Sequence, residues 1–160
     1  MIDGSVVRAH QHSSGSGQGK DAEAIGRSRG GYSTKIHVKV DAFGRPLCFE
    51  LSGGQTHEMK FAEKLLGDEP CDFLLADKGY DSNDFRKKLN EQGICPVIPG
   101  KVNRILAIDY DKYIYKERNI VERFFCHIKQ FRRIATRYDK TRMMFMGALV
   151  IVGIIIWLKF

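Results

Sequence analysis

The chain has 160 residues, with 26 Lys+Arg against 19 Asp+Glu, a formal charge of +7 and 43% apolar residues. That mix excludes a disordered or collagenous chain, and the length suits one domain that buries roughly two-thirds of its unfolded surface. The surplus charge points to a polyanionic partner, and it is concentrated in residues 111–160, which hold 11 basic and 4 acidic side chains.

Ser5-Val6-Val7-Arg8 reads as a strand, entered at once from Met1-Ile2-Asp3. Residues 13–31, rich in Gly, Ser and Arg, are expected to form a flexible loop. Ser14 and Asp21 stand where a phosphate-binding P-loop needs Gly and Ser/Thr, which excludes that motif. Ile36, Val38 and Val40 alternate with Lys35, His37 and Lys39; after Asp41-Ala42-Phe43-Gly44, Leu47, Phe49 and Leu51 alternate in turn, which predicts a β-hairpin. Thr56 is placed to cap a short helix that reaches Leu66 and stops at Gly67.

Phe73-Leu74-Leu75-Ala76 is the continuous apolar run of a strand covered on both faces. It delivers Asp77 at its carboxyl end, where open α/β sheets build their sites. Asp81 or Ser82 caps a helix to about Glu91, and residues 94–98 form a short strand closed by Pro99-Gly100. A long helix is expected from Tyr113 to about Arg133. Residues 143–158 carry no charge and fall short of the roughly 20 residues of a membrane span, so they are read as an apolar C-terminal helix buried in the core or a subunit interface. The order makes one mixed α/β domain over residues 1–160. Cys48, Cys71, Cys95 and Cys126 are widely spaced, each in or beside an apolar stretch, and read as buried reduced thiols.

Asp3, Asp77 and Glu122 fall where chemistry wants acids: on the first strand, at the end of the buried strand and in the long helix. Phosphodiester chemistry by two hard cations needs oxygen ligands converging from separate elements. Tyr115, Arg118, Glu122 and Lys129 share an arc of roughly 60° on an ideal helix, joined by Arg133. Val121, Phe124, Ile128, Phe131 and Ala135 centre on another face. An intrahelical Arg118–Glu122 ion pair is the plainer account of that spacing.

The sequence resembles the DDE transposases of bacterial insertion sequences, specifically insertion-sequence family 5 and its relatives, from Ile2-Asp3 almost to Trp157-Leu158. The resemblance is carried by Arg8-Ala9-His10-Gln11-His12, Gly26-Arg27-Ser28-Arg29-Gly30-Gly31, Thr34-Lys35-Ile36-His37, Ala76-Asp77-Lys78-Gly79-Tyr80-Asp81, Ile98-Pro99, Glu122-Arg123-Phe124-Phe125, Lys129-Gln130-Phe131-Arg132-Arg133 and Thr136-Arg137-Tyr138-Asp139-Lys140. Tyr115, Arg118, Glu122 and Lys129 match that group's Tyr-Arg-Glu-Lys signature with no spacing error.

The resemblance implies an RNase H-like mixed sheet with flanking helices, and Asp3, Asp77 and Glu122 as the catalytic, metal-binding triad. It also implies two Mg²⁺ ions, for which Mn²⁺ can substitute, cutting at transposon ends, and attack of the freed 3′-hydroxyl on target DNA. Arg118, Lys129 and Arg133 are then expected on the scissile strand's phosphates, with Tyr115 stacked on a displaced base or bonded to a phosphate. Arg132, Arg137, Lys140 and Arg142 are expected on the duplex backbone, and Arg27 and Arg29 as a strand clamp. His10, His12 and His37 either line the site or make structural hydrogen bonds.

The active complex is expected to be a homodimer, cytoplasmic and nucleoid-associated, with no membrane contact. Full-length members carry an N-terminal region that recognises transposon ends, whereas Asp3 is the third residue here. The first strand is therefore expected to be truncated, and the chain to work with an N-terminal half or a fused upstream frame, or else to be a degraded copy. Gly4-Ser5 stands in place of Ser-Thr, and Glu58 where Asp is commoner. The competing reading is a non-catalytic DNA-binding transposase fragment or relic.

Overall fold

The computed structural model describes residues 1–14 and 19–159. Strand β1 (Ile2–Ala9) pairs antiparallel with β3 (Gly31–Val40), from Ile2 opposite Lys39 to Arg8 opposite Ser33. β3 pairs in turn with β4 (Pro46–Gly53), which is the hairpin the alternation predicts. Its turn is fixed by the Asp41 carboxylate, which accepts from the N–H groups of Phe43 and Arg45 and pairs with the Arg45 guanidinium, and by Gly44 at φ 84°.

β2 (Gly26–Ser28) pairs with the start of β3, so part of the stretch expected to be loop is sheet; residues 15–18 of that stretch lie outside the described residues. β7 (Thr136–Arg137) joins the end of β1 in parallel and completes a five-stranded mixed sheet.

A second sheet consists of β5 (Phe73–Leu75) and β6 (Cys95–Val97), parallel and joined through α2 (Asn83–Glu91). Before it, a 3₁₀ turn (Glu58–Phe61) leads into α1 (Ala62–Leu66), which ends at Gly67 as expected. The cap is His57, whose ring nitrogen accepts from the Met59 N–H, and not Thr56. α2 follows Ser82, and Asp81 makes other bonds described below.

Two cores form. One lies between the larger sheet and the C-terminal helices, around Ile36, Val38, Leu51, Phe124, Phe145 and Leu149. The other holds Ile2, Leu65, Leu74, Ala76, Tyr80 and Leu89. β1 contributes to both, through Val7 and Ile2.

The long helix expected from Tyr113 is divided. It runs as α3 (Lys112–Tyr115), a 3₁₀ turn (Lys116–Arg118) and α4 (Asn119–Ile128); Phe131 then turns extended (φ −77°, ψ 110°) before α5 (Arg132–Ala135). A continuous helix would place Ile134 about 100° from the centre of the apolar stripe. The break returns it to the core, where it is 1% exposed, and carries Arg133 off the face of Glu122.

α6 (Arg142–Trp157) is capped by Thr141, whose hydroxyl accepts from the Met144 N–H. It buries Phe145, Leu149, Val152 and Ile156 but leaves Met143, Ile151 and Ile154 exposed. Among the described residues no helix is long and apolar enough to cross a membrane. The four cysteines are free, but the expectation of burial is corrected: Cys48 and Cys71 are half-buried, and Cys95 and Cys126 are exposed. Cys126 lies on α4 about 140° from Val121, away from the core stripe.

Candidate active site

Asp3 stands opposite Val38 in the β1–β3 ladder. One of its oxygens accepts from the Gly4 N–H at 2.8 Å, the other from Arg118 Nη1 at 3.0 Å, and its side chain is 15% exposed. The same guanidinium also pairs with Glu122, in the first turn of α4, which is exposed. Arg118 thus joins two of the three expected acids.

The Tyr115 ring lies beside this guanidinium, 5.9 Å from ring centre to carbon, with Tyr110 edge-on to it. Lys129 Nζ donates to Ser5 Oγ at 2.6 Å, two residues along β1 from Asp3. Asp77 follows β5 and caps a 3₁₀ turn (Lys78–Tyr80), accepting from the Gly79 N–H.

Glu58, noted in the sequence only as standing where Asp is commoner, lies close to Asp77 and Gly4. Its Oε1 lies 3.3 Å from Lys35 Nζ, which also donates to the Thr56 carbonyl. A Cβ on Gly4 would stand 3.2 Å from Glu58 Cγ; one on Gly79 would stand 2.7 Å from Glu58 Oε2 and 2.8 Å from Asp77 Oδ1. The two glycines leave the room that brings Glu58 between β1 and the Asp77 turn. The one signal in the sequence was that an acid is common at this position in the family it resembles.

Burial pushes the Asp3 carboxyl up to about 6; the Gly4 N–H and Arg118 oppose the rise, while the Glu58 and Asp77 charges add to it. Burial also raises the Tyr80 phenol, and Glu58, Asp3 and Asp77 reinforce the shift. Burial, helped by the Lys35 charge, holds His37 down at about 4. The His37 ring stacks on Phe61 and bonds Ser52 Oγ through Nε2 at 2.8 Å. Among the described residues, Tyr80 Oη and His37 Nδ1 are the buried side-chain polar atoms without a hydrogen-bond partner.

Among the described residues no three His, Cys, Asp or Glu side chains are arranged to hold a metal ion as they stand. The donor chemistry nonetheless suits a hard divalent cation, since Asp3, Glu58 and Asp77 are all carboxylates and an orphaned hydroxyl lies near enough to feel their charge.

Other expected contacts divide. Arg27, Arg29, Arg132 and Lys140 are exposed. Arg133 is turned to Asp139 and is not on the Glu122 face. Arg137 is corrected outright: it is fully buried, so no nucleic acid reaches it. Its guanidinium donates to the carbonyls of Glu23 and Asp139 and to Thr34 Oγ1, over the Phe145 ring. Arg142 pairs with Glu50 at 3.1 Å. His10 meets His12 edge-on and Tyr138 at a tilt beyond the end of β1.

Residues 1–157 match the family described as "Transposase DDE domain". A putative transposase for insertion sequence element IS6501 from Brucella ovis is 35% identical over 130 residues, covering 79% of this chain and 99% of that protein. A putative transposase for insertion sequence element IS402 from Burkholderia cepacia is 29% identical over 119 residues, covering 67% of this chain and 54% of the relative. No solved structure matches. Members of this family are transposases, enzymes that cut DNA and transfer its strands. An end-to-end family match, and a relative covered over nearly its whole length, place the chain in the transposase DDE domain family.

Proposed function

We propose that this chain is the catalytic domain of an insertion-sequence family 5 transposase of the Tyr-Arg-Glu-Lys group, cleaving strands at transposon ends and joining the freed 3′-hydroxyl to target DNA. Asp3, Asp77 and Glu122 form its triad and hold two Mg²⁺ ions, or Mn²⁺ in their place. The observation that carries the reading is the Arg118 bridge, which gathers Asp3 and Glu122 from opposite ends of the sequence.

An RNase H-like arrangement is supported by the order β4–β3–β1, with β5 and β6 beside it as a parallel pair. Asp3, Asp77 and Glu122 would hold the cations, whose chemistry there would be to activate water or a 3′-hydroxyl and to stabilise the departing oxygen. The protein's own part is positioning. Arg118 and Lys129 hold the scissile strand's phosphates, Arg118 exchanging its carboxylate partners for phosphate oxygens, and Tyr115 stacks on a displaced base. Arg27, Arg29, Arg132 and Lys140 hold duplex backbone, which supplies affinity without sequence choice. Choice of end sequence is assigned to an N-terminal half or fused upstream frame, and the active complex to a homodimer.

The test is metal-dependent nicking of DNA by the purified chain. Asp3→Asn, Asp77→Asn and Glu122→Gln each abolish nicking and leave nonspecific DNA binding largely intact; equal nicking by variant and parent sinks the triad. Salt-sensitive binding by the parent with no Mg²⁺-dependent cleavage would instead make the chain a DNA-binding fragment or relic.

A further inference from the structure

Three acids from three separate elements meet around Gly4 and Gly79, and one of them, Glu58, has no place in the triad. Glu58 Oε1 is tied to Lys35, which is itself fixed by the Thr56 carbonyl at 2.8 Å. That leaves Oε2 as the oxygen beside Gly79, on the same side of that residue as Asp77 Oδ1. A side chain at Gly79 would strike both oxygens, and one at Gly4 would press on the Glu58 stem.

The second observation concerns a neighbouring hydroxyl. The Tyr80 hydroxyl is fully buried, has no hydrogen-bond partner, and feels the charges of Glu58, Asp3 and Asp77 together. A buried hydroxyl without a partner is costly, so one close to a carboxylate cluster is a donor available to whatever those acids bind. His37 Nδ1, the other orphan, lies 3.3 Å from where a Cβ on Gly4 would stand.

We propose that Glu58 is a fourth acidic residue of the active site, sharing a divalent cation with Asp3 and Asp77, and that the Tyr80 hydroxyl donates to the water held with it. The inference rests on the reading that Asp3 and Asp77 hold that cation. Lys35 acts through Glu58 as a positioning residue, aiming one carboxylate oxygen and leaving the other for the metal.

The experiment is Mn²⁺ binding to the purified chain without DNA, read as loss of the free-ion electron paramagnetic resonance signal. Glu58→Gln weakens Mn²⁺ binding about tenfold or more, while Glu58→Asp keeps most of it. Tyr80→Phe lowers tyrosine-sensitised Tb³⁺ emission by more than half. Thermal melting of each variant without metal confirms that the fold is retained, and Glu58→Asp provides a milder variant should Glu58→Gln melt early. If Asp3→Asn loses Mn²⁺ and Glu58→Gln binds like the parent, the Glu58 assignment falls and the triad stands. If the parent binds no Mn²⁺, or Asp3→Asn and Asp77→Asn bind it unchanged, both readings fall.

Discussion

Arg118 donates to Asp3 at 3.0 Å across 115 positions of sequence, and the other arm of the same guanidinium reaches Glu122. A planar fork serves two carboxylates at once; an ammonium is a point charge and does not. Arg118→Lys is therefore expected to lower metal-dependent nicking about 100-fold, the usual scale for losing one fixed donor at a reacting centre, with nonspecific DNA affinity changed little. Nicking rates of the two proteins at matched DNA occupancy check this, and parent-like rates in Arg118→Lys would refute it.

Arg137 and its neighbours separate a structural arginine from surface ones. Arg137→Ala removes a buried hub of backbone and side-chain bonds and is expected to destabilise the protein by about 3 kcal/mol. Arg132→Ala and Lys140→Ala should leave the melting temperature in place. Each should lower the slope of log affinity against log salt by about one. A melting drop from Lys140→Ala, or a salt-slope change without destabilisation from Arg137→Ala, would reverse these roles.

Asp81 accepts from Arg86 at 2.9 Å, from Arg104 at 2.6 and 2.8 Å and from the Lys101 N–H at 2.9 Å, with its side chain fully buried. Burial alone would raise its carboxyl, but the bonds from Arg104, Lys101 and Arg86 hold it down at about 2. Asp81→Asn leaves Arg86, 9% exposed, without its counter-charge and is expected to cost about 3–5 kcal/mol in urea unfolding at neutral pH. Because the folded-state value is depressed, the contribution is whole above about pH 4 and is lost as pH falls toward 2. The gap between parent and variant should narrow by about 2 kcal/mol over that range.

His37 gives a pH effect in a milder range. Folded, it stays neutral down to about 4; unfolded, it takes up its proton near 6.5. Between these values the unfolded chain binds more protons, so stability rises with pH, and roughly 3 kcal/mol is lost on going from pH 6.5 to 4. Urea midpoints across that range should fall more gently in His37→Gln. Parallel slopes would mean that His37 does not stay neutral.

Gly79→Ala tests the cradle directly. Its backbone is not in the left-handed region, so the strain comes from the added methyl, whose nearest neighbours are the Glu58 and Asp77 oxygens. Nicking and Mn²⁺ binding should fall about tenfold or more, with the melting temperature within a few degrees of the parent. Unchanged Mn²⁺ affinity would show that the two carboxylates need not sit so close.

Hairpin β3–β4 was legible because strict alternation leaves one way to bury Ile36, Val38 and Leu51. The strand before Asp77 was legible because Leu74 and Leu75 are apolar and buried, although Phe73 at its start is exposed. The break at Phe131 was not, since the helical period of α4 continues through residue 135 and only the core decides where Ile134 must go. Arg137 was misread for a related reason. A basic residue in a basic stretch is ordinarily solvated, and nothing local shows that the backbone of Glu23, over a hundred positions away, would receive it. Glu58 lies in a turn, and its nearness to Asp77 comes from packing, not spacing.

β1 and β5 belong to different sheets. The interval between Asp3 and Asp77 is therefore not ruled by a hydrogen-bonded ladder, as it would be for acids on adjoining strands, but by the core that Ile2 shares with Leu74, Ala76 and Tyr80. A methylene more or less in that seam would change the bite of the carboxylates without touching either one. Under the proposed assignment of the triad, metal preference would then be adjustable from the hydrophobic interior.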